Sequence, residues 1–323
     1  MMRDYFISEE NFSFNMENTV VPYLKSRMTE DFLEADDGKK IFYRYYKADK
    51  PVGNIVICHG FTENNEKFFE MCYYFLNMNL NVFSYDHRGH GKSHRHNSDI
   101  QIVHIKSFSQ YVDDLHTLVK KVVRKTAPDL PMYIFSHSMG GAVTVQYLQT
   151  HPDVFSKAIL SAPMIKAKTA GIPGGVAGFA ARLFILLGKE KEKVVGYKYF
   201  NPDRTYEESH DTSKSRFDYY HKKRVENPLF QTTAPSYRWV SEAVKVSKLN
   251  LDEKRNKKIT AKVLLCQPEE DSTVYSEYED IFIKLVPDGK LKKFTDCKHE
   301  IYMSVDHTVK KYLDEIESFL FEK

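Results

Sequence analysis

The sequence predicts an α/β protein with a mostly parallel central sheet, flanking helices and a mainly helical insertion. Three observations support this fold class. Short apolar runs alternate with amphipathic helical patterns, one interval is much longer than a strand-helix repeat, and a serine stands between an apolar run and a helical pattern. Such alternation is typical of a parallel sheet built from repeated strand-helix units. At 323 residues, the chain has room for one large domain with an insertion.

Seven short apolar runs are predicted to be the strands of this sheet. They are Lys40–Tyr46, Asn54–Cys58, Asn81–Tyr85, Met132–Phe135, Ala158–Ser161, Lys262–Cys266 and Lys290–Phe294. Helices are predicted over Phe68–Met78, Phe108–Arg124 and Thr308–Phe321, where apolar residues recur on one helical face.

The interval between Ser161 and Lys262 predicts an insertion. It spans about a hundred residues, whereas a strand-helix unit takes roughly thirty. Ligands of open α/β sheets bind at the carboxyl edge of the strands, so we expect the inserted residues to cover that edge. The predicted parts are an N-terminal extension at 1–30, a core at 31–163 and 237–323, and a cap at 164–236, called the cap segment below.

One part of the cap segment has two interpretations. Between Gly171 and Gly188 the residues are largely apolar and Arg182 is the only charge, while a run of alternating lysine and glutamate follows. The stretch is either a helix that packs on the core or an amphipathic helix that forms an apolar entrance. The second arrangement would suit acyl chains or a membrane surface.

Composition and charge narrow the class of protein. A formal net charge of +3 favours neither nucleic acid as a partner nor strong attraction to membranes. The four cysteines have no paired spacing, so neither a disulfide framework nor a zinc site is indicated. The first residues lack the apolar stretch of a secretory signal, and no run has the length of a membrane span. We therefore expect a cytoplasmic protein.

Ser138 is the candidate nucleophile. Residues 136–141 read S-H-S-M-G-G and lie between a predicted strand and a predicted helix. A serine on a tight strand-to-helix turn, with small residues two positions away on either side, is typical of a nucleophile elbow. Ser136 occupies the position where this motif usually has its first glycine.

A serine nucleophile needs a base, and the base needs an orienting carboxylate. Asp271 follows one late predicted strand, and His299 follows the last one. The order serine, acid, histidine is the order expected for this class of fold. Spacing alone leaves Glu269 and Glu270 open as alternatives to Asp271, and a surface histidine remains the alternative interpretation of His299.

Acyl transfer also needs hydrogen-bond donors for the developing oxyanion. The backbone N–H of Met139, directly after the nucleophile, is one candidate. The second is the N–H of Phe61, because it follows an early strand and Gly60 allows close approach of a substrate. An ordinary turn at the end of the strand is the alternative interpretation.

Residues 86–96 contain four histidines, so they are a candidate metal-binding segment. The histidines alternate with arginine, lysine and glycine, and no carboxylate lies close behind Asp86. We therefore predict no metal ion here, but a structural turn in which Asp86 and Arg88 brace neighbouring loops.

Four strings together resemble the α/β-hydrolases of the monoacylglycerol lipase and lysophospholipase group. They are I-C-H-G-F at 57–61, D-H-R-G-H-G-K-S at 86–93, S-H-S-M-G-G at 136–141 and S-A-P-M at 161–164. The string T-A-P-S-Y-R-W-V at 233–240 looks particularly like bacterial lysophospholipase L2-type proteins. The resemblance covers residues 32–323.

This resemblance implies an α/β-hydrolase fold and a cofactor-free serine carboxylic-ester hydrolase acting on glycerolipids with one acyl chain. It implies Ser138 as nucleophile, Asp271 as acid and His299 as base, with Phe61 and Met139 as oxyanion donors. The expected partner is a small-molecule acyl ester or lipid, with no nucleic acid. Transient contact of the cap segment with a membrane surface is left open, and so is the oligomeric state.

Other functions also remain open from the sequence. A short-chain ester, a thioester or an amide could be the substrate, because the sequence of the cap segment does not reveal the shape of the site. A non-catalytic protein that binds an acyl ligand is a further alternative. Halide-cleaving and epoxide-opening enzymes are disfavoured, because they typically carry aspartate at the position of Ser138.

Overall fold

A twisted central sheet forms the middle of the protein. The computed structural model describes residues 4–169 and 172–322. The strands in that part of the chain are β1 (Met28–Glu34), β2 (Lys40–Tyr46), β3 (Gly53–Cys58), β4 (Leu80–Tyr85), β5 (Ile102–Val103), β6 (Met132–His137), β7 (Lys157–Ser161), β8 (Ala234–Pro235), β9 (Lys262–Pro268) and β10 (Gly289–Phe294).

Within the described residues, eight of these strands pair in the order β1-β2-β4-β3-β6-β7-β9-β10. β2 runs antiparallel to both of its neighbours, and all other neighbouring pairs are parallel. The short strands β5 and β8 pair with each other in a second, two-stranded sheet. All seven strands expected from the sequence belong to the large sheet, as predicted for this fold class.

Helices cover both faces of the sheet. The α-helices of the described residues are α1 (Phe12–Asn15), α2 (Val21–Lys25), α3 (Phe69–Asn77), α4 (Ser109–Leu118), α5 (Arg124–Thr126), α6 (Met139–Thr150), α7 (Gly174–Leu186), α8 (Lys214–Glu226), α9 (Tyr237–Asn250), α10 (Glu253–Asn256), α11 (Ser276–Leu285) and α12 (Asp306–Phe321). None of them combines the length and the apolarity that crossing a membrane requires.

Two apolar clusters lie on the two faces of the sheet. One contains residues of α4, α6, α9 and α11, and the other contains residues of α3 and α12. Because both faces are covered, every residue of β3 and β4 is buried, which is why these strands are nearly continuous apolar runs.

The predicted N-terminal extension packs on the second of these clusters. Met1–Arg3 lie outside the described residues, but Phe12, Val20 and Leu24 are buried there with α3 and α12. Strand β1 begins at Met28, inside the predicted extension, and forms one edge of the sheet. It was not expected as a strand because it is a mostly exposed edge strand with a single buried residue, Leu33, and therefore lacks an apolar pattern.

The cap segment contains α7, α8, the short strand β8 and turns. Its residues 170 and 171 lie outside the described residues, as does Lys323 at the C-terminus. Its last strand, β8, pairs with β5 of the core. Helix α7 lies against α9, where the rings of Phe184 and Tyr237 stack with centroids 4.2 Å apart. Both contacts attach the segment to the core.

Arg216 of α8 provides a further, buried attachment. Its side chain is fully buried and pairs with Glu70 of α3 at 2.8 Å and with Asp306 of α12 at 3.2 Å. It also donates hydrogen bonds to the backbone oxygens of Ile7 and Ser304, both at 3.0 Å. One guanidinium group thus joins the cap segment to the N-terminal residues and to two helices of the core.

Arg216→Met is expected to lower the free energy of unfolding by about 3–5 kcal/mol, because it leaves the buried carboxylate of Glu70 without its partner. Chemical denaturation followed by circular dichroism measures this change. Lys214→Met is the control, since it removes an exposed pair with Asp218 on the same helix and should leave the free energy of unfolding nearly unchanged. Equal effects of the two substitutions would contradict the role assigned to Arg216.

Candidate active site

Ser138 lies on the turn between β6 and α6. Its backbone has φ 51° and ψ −117°, a left-handed conformation that is unfavourable for any residue with a side chain. A Cβ atom added to Gly140 would lie 2.1 Å from the backbone oxygen of Cys58, and one added to Gly141 would lie 2.5 Å from Cβ of Pro163. Neither position can hold a larger residue, so the turn has the geometry of a nucleophile elbow.

Ser136 fits the position where a glycine is usual. It is buried in β6, and its hydroxyl donates a hydrogen bond to the backbone oxygen of Ile159 on the neighbouring strand at 3.3 Å. The polar group is therefore satisfied, and the turn at Ser138 retains its shape.

His299 and Asp271 meet at the carboxyl edge of the sheet. Nδ1 of His299 lies 2.7 Å from Oδ2 of Asp271. The other carboxylate oxygen accepts hydrogen bonds from the backbone N–H groups of Thr273 at 2.6 Å and Val274 at 2.9 Å. Glu269 and Glu270, the alternatives that spacing left open, are exposed, and neither makes a hydrogen bond to His299 within the described part of the chain.

Asp271 is ionised in this arrangement. Burial raises the pKa of its carboxyl group, but the hydrogen bonds from His299 and the two backbone N–H groups outweigh burial, so the pKa lies below its usual value. A carboxylate in this position favours the tautomer of His299 that carries its proton on Nδ1.

Ser138 and His299 line the same cavity, whose volume is about 260 Å³. The ring of His299 also packs against the ring of His137, with centroids 4.7 Å apart. Among the described residues, the hydroxyl of Ser138 makes no hydrogen bond to His299. The two side chains are thus brought to one cavity without being paired. In active sites such a hydrogen bond often forms only in the substrate complex.

The backbone N–H of Phe61 is available to a ligand. The N–H groups on either side are used: that of Gly60 donates to Oε2 of Glu63 at 2.5 Å, and that of Thr62 donates to Nε2 of His90 at 3.2 Å. Within residues 4–169 and 172–322, the N–H of Phe61 has no partner. A Cβ atom on Gly60 would lie 3.1 Å from Cβ of Ser138, which places this loop beside the serine.

The backbone N–H of Met139 is the second available donor. It is the first residue of α6, where N–H groups have no partner inside the helix. The N–H groups of Gly141 and Ala142 bond to the backbone oxygen of Ser138, while that of Met139 has no partner in the described chain. The positive end of the helix dipole lies at the same point and favours a developing negative charge.

A second cavity of about 120 Å³ is lined mainly by apolar side chains. Tyr197 lines both cavities, and Trp239, which lines the apolar one, has its ring 4.3 Å from the ring of Phe61. The apolar cavity therefore adjoins the loop that carries one of the two free N–H groups.

The chain is similar in sequence to known hydrolases. Residues 49–306 match the family described as serine aminopeptidase, S33. The chain belongs to this family. It is 27% identical over 318 residues to lysophospholipase L2 of Escherichia coli K12, covering 94% of this chain and 90% of the relative. It is 32% identical over 135 residues to monoglyceride lipase of Mus musculus, covering 41% of this chain and 42% of that one.

The fold is also that of known hydrolases. A soluble variant of monoglyceride lipase from Saccharomyces cerevisiae superimposes with a TM-score of 0.75 at 17% identity, covering 92% of this chain and 96% of that one. The predicted α/β-hydrolase fold is confirmed, and so is the resemblance to lysophospholipases and monoacylglycerol lipases. Since the S33 family consists of serine hydrolases, the prediction that the chain is such an enzyme is confirmed as well.

The turn at residues 86–93 has the structural role that the sequence predicted. The carboxylate of Asp86 accepts hydrogen bonds from the backbone N–H groups of Asn65 at 2.8 Å and Lys92 at 2.9 Å. Arg88 pairs with Asp114 at 2.6 Å and with Asp37 at 2.8 Å. These contacts join the turn to residue 65, near the Phe61 loop, and to Asp37 and Asp114.

Sequence reasoning missed a buried polar cluster behind Ser138 and His299. Lys67 pairs with Glu63 at 3.0 Å and with Glu300 at 2.6 Å, and the hydroxyl of Tyr302 donates to Glu63 at 2.5 Å. Glu63 also lies 3.9 Å from Nε2 of His137. His137 and Glu300 are the sequence neighbours of Ser138 and His299, and their position could have suggested that they lie near the site. No sequence pattern indicates that they contact Glu63 and Lys67.

This cluster has the donor types of a metal site, since ligand atoms of Glu63, His137 and Glu300 lie within 4.8 Å of one another. The ammonium group of Lys67 already pairs with both carboxylates and supplies the positive charge that a metal ion would bring. Burial raises the pKa of Glu63, but Lys67 outweighs it and the pKa is lowered. Burial lowers the pKa of His137 to about 4, so this ring is neutral.

Glu63→Gln is expected to lower kcat for hydrolysis of a p-nitrophenyl ester roughly tenfold or more, with KM changed less than about threefold. Glu63 uses both oxygens to accept from Gly60 and Tyr302, whereas glutamine has one acceptor oxygen and no charge for Lys67, so the turn that carries the N–H of Phe61 is held less firmly. Steady-state kinetics measures the effect. Glu66→Gln is the control, because that carboxylate pairs with Arg44 instead. A change confined to KM would contradict the positioning role.

Proposed function

We propose that this protein hydrolyses carboxylic esters of glycerolipids with one acyl chain, a lysophospholipid or a monoacylglycerol. The triad would be Ser138, His299 and Asp271. The observation that carries this proposal is the 2.7 Å contact of Asp271 with His299, which lines the same cavity as Ser138. The adjoining apolar cavity supports an acyl chain as the bound group, because apolar lining favours burial of alkyl surface.

In the proposed reaction, Oγ of Ser138 attacks the ester carbonyl carbon while Nε2 of His299 takes its proton. The N–H groups of Phe61 and Met139 donate hydrogen bonds to the carbonyl oxygen as it becomes negative. The bond to the glycerol oxygen then breaks, and His299 returns the proton to that oxygen. Water activated by His299 attacks the acyl-enzyme, which releases the fatty acid and restores Ser138.

Two kinds of relative support the class of substrate. Lysophospholipase L2 matches nearly the whole chain, and monoglyceride lipase matches less than half of it. Both names describe hydrolysis of a lipid that carries a single acyl chain. A single apolar cavity beside the oxyanion loop fits such a lipid better than one with two chains.

Ser138→Ala is expected to abolish hydrolysis of p-nitrophenyl esters, with a loss of about 10⁴-fold or more, because the attacking oxygen is removed. It is also expected to abolish labelling by a fluorophosphonate probe, which reacts with activated serines. Rate measurements and in-gel fluorescence report the two effects.

Ser136→Ala is the matched control for this experiment. Ser136 belongs to the same turn, but its hydroxyl points to the backbone oxygen of Ile159, so activity and labelling are expected to persist. Full activity of the Ser138→Ala protein would remove Ser138 from the mechanism and with it the proposed triad.

We also propose transient contact of the cap segment with a membrane surface through α7. Phe179 and Leu186 on this helix are 70% and 84% exposed, and Val176 and Leu183 are exposed beside them. The other face of the helix contributes Ala177, Ala180 and Ala181 to the apolar cavity. A helix with one apolar face on the cavity and another in solvent is suited to lie on a lipid surface.

The double substitution of Phe179 and Leu186 by serine is expected to weaken binding to anionic lipid vesicles at least fivefold, because it removes most of the apolar surface that would insert. Vesicle co-sedimentation measures this binding. Phe14→Ser is the control, since Phe14 is 66% exposed on α1, outside the cap segment. Equal loss for both proteins would exclude α7 as the contact.

A further inference from the structure

The catalytic cavity has two cations on its wall that form no ion pair with a carboxylate of the described chain, although Glu63, Asp211 and Glu300 line the same cavity. Arg204 and Arg224 of the cap segment line it together with Ser138 and His299. In the described part of the chain, no carboxylate oxygen lies within 4.0 Å of either guanidinium group. Lys67 on the same cavity differs, because it is held by Glu63 and Glu300.

Arg224 is oriented by its surroundings. Its Nε donates to the backbone oxygen of Phe230 at 3.0 Å, and its Nη2 donates to that of Thr232 at 3.2 Å. The guanidinium carbon lies 4.9 Å from the centre of the Phe200 ring. Burial lowers the pKa of this arginine and the charge of Arg204 lowers it further, and together they outweigh the opposing effect of Tyr220, Glu300 and Glu63. A fixed, desolvated charge without a counter-ion is costly unless an anion joins it.

Two further groups belong to the same wall. Nη2 of Arg204 donates to the backbone oxygen of Glu208 at 2.6 Å. This bond does not use Nη1 or Nε of the same guanidinium group. The hydroxyl of Thr233 is buried, lines the cavity and has no hydrogen-bond partner among the described residues. Two guanidinium groups and a free hydroxyl form a donor set that matches the oxygens of a phosphate group.

We propose that Arg204, Arg224 and Thr233 form a subsite for a phosphate group of the lipid headgroup. This inference rests on the proposed function, since it concerns the headgroup of the same substrate. With equal acyl chains, a phosphate-bearing lipid is then hydrolysed in preference to the neutral monoacylglycerol. The apolar cavity takes the acyl chain, and the basic wall takes the headgroup.

The test compares monooctanoylglycerol with monooctanoylglycerol 3-phosphate, each below its critical micelle concentration. The measured quantity is the ratio of kcat/KM for the phosphate-bearing lipid to that for the neutral lipid. Arg224→Gln and Arg204→Gln are each expected to lower this ratio at least tenfold, as expected for the loss of a charge-assisted hydrogen bond. Lys222→Gln removes the same charge from an exposed site on α8 and is expected to leave the ratio unchanged.

A binding measurement separates the headgroup from free phosphate. Calorimetry with glycerol 3-phosphate and with inorganic phosphate is carried out on the unmodified protein and on the two arginine variants. Weaker binding of glycerol 3-phosphate to both variants supports the subsite. If inorganic phosphate binds as tightly as glycerol 3-phosphate, the glycerol moiety contributes nothing. That result also supports a phosphate site but assigns it to the free ion.

Failure of the subsite differs from failure of the proposed function. If the protein hydrolyses both lipids and the variants leave the ratio unchanged, the subsite is wrong and the ester hydrolase stands. If neither lipid is hydrolysed and the fluorophosphonate probe does not react, the proposed function fails, and calorimetry alone decides the phosphate site. If Arg224→Gln does not fold, Arg204→Gln carries the same test.

Discussion

The backbone turn at Ser138 determines where the other parts of the candidate site lie. Gly140 brings α6 against the backbone oxygen of Cys58, so the end of β3 and the loop with Phe61 are held beside the start of the helix. The backbone N–H of Ser138 donates to the oxygen of Ser161, and its own oxygen accepts from Met164, where the cap segment begins. A single turn therefore fixes the nucleophile candidate, both free N–H groups and the entry of the chain into the cap segment.

Charge is distributed unevenly around the catalytic cavity. On the side of Glu63 and Glu300, Lys67 pairs with both carboxylates within a set of hydrogen bonds, which gives rigidity. On the side of the cap segment, Arg204 and Arg224 remain without carboxylate partners among the described residues. The first arrangement joins the loops that carry Glu63, Lys67 and Glu300, and the second is the basis of the proposed phosphate subsite.

Local patterns in the sequence predicted a large part of this molecule. Apolar runs predicted β3, β4, β6, β7 and β9, because these inner strands are almost wholly buried. The exposed edge strand β1 was not predicted, whereas β10 at the other edge was predicted although most of its residues are exposed. The chain order predicted that Asp271 and His299 follow two late strands, and the structure places their side chains 2.7 Å apart. The cluster around Glu63 was not predictable, because its members are separated by up to 239 positions and share no periodicity.

Arg216 has a consequence for exchanging caps between related enzymes. Its guanidinium is shared by the cap segment, the N-terminal residues and two core helices, so the cap is not an independent module. A chimera that replaces residues 164–236 alone would leave Glu70 without its cation, or would introduce a foreign side chain into that pocket. A graft that preserves folding has to keep Arg216 or transfer the cap together with its N-terminal support.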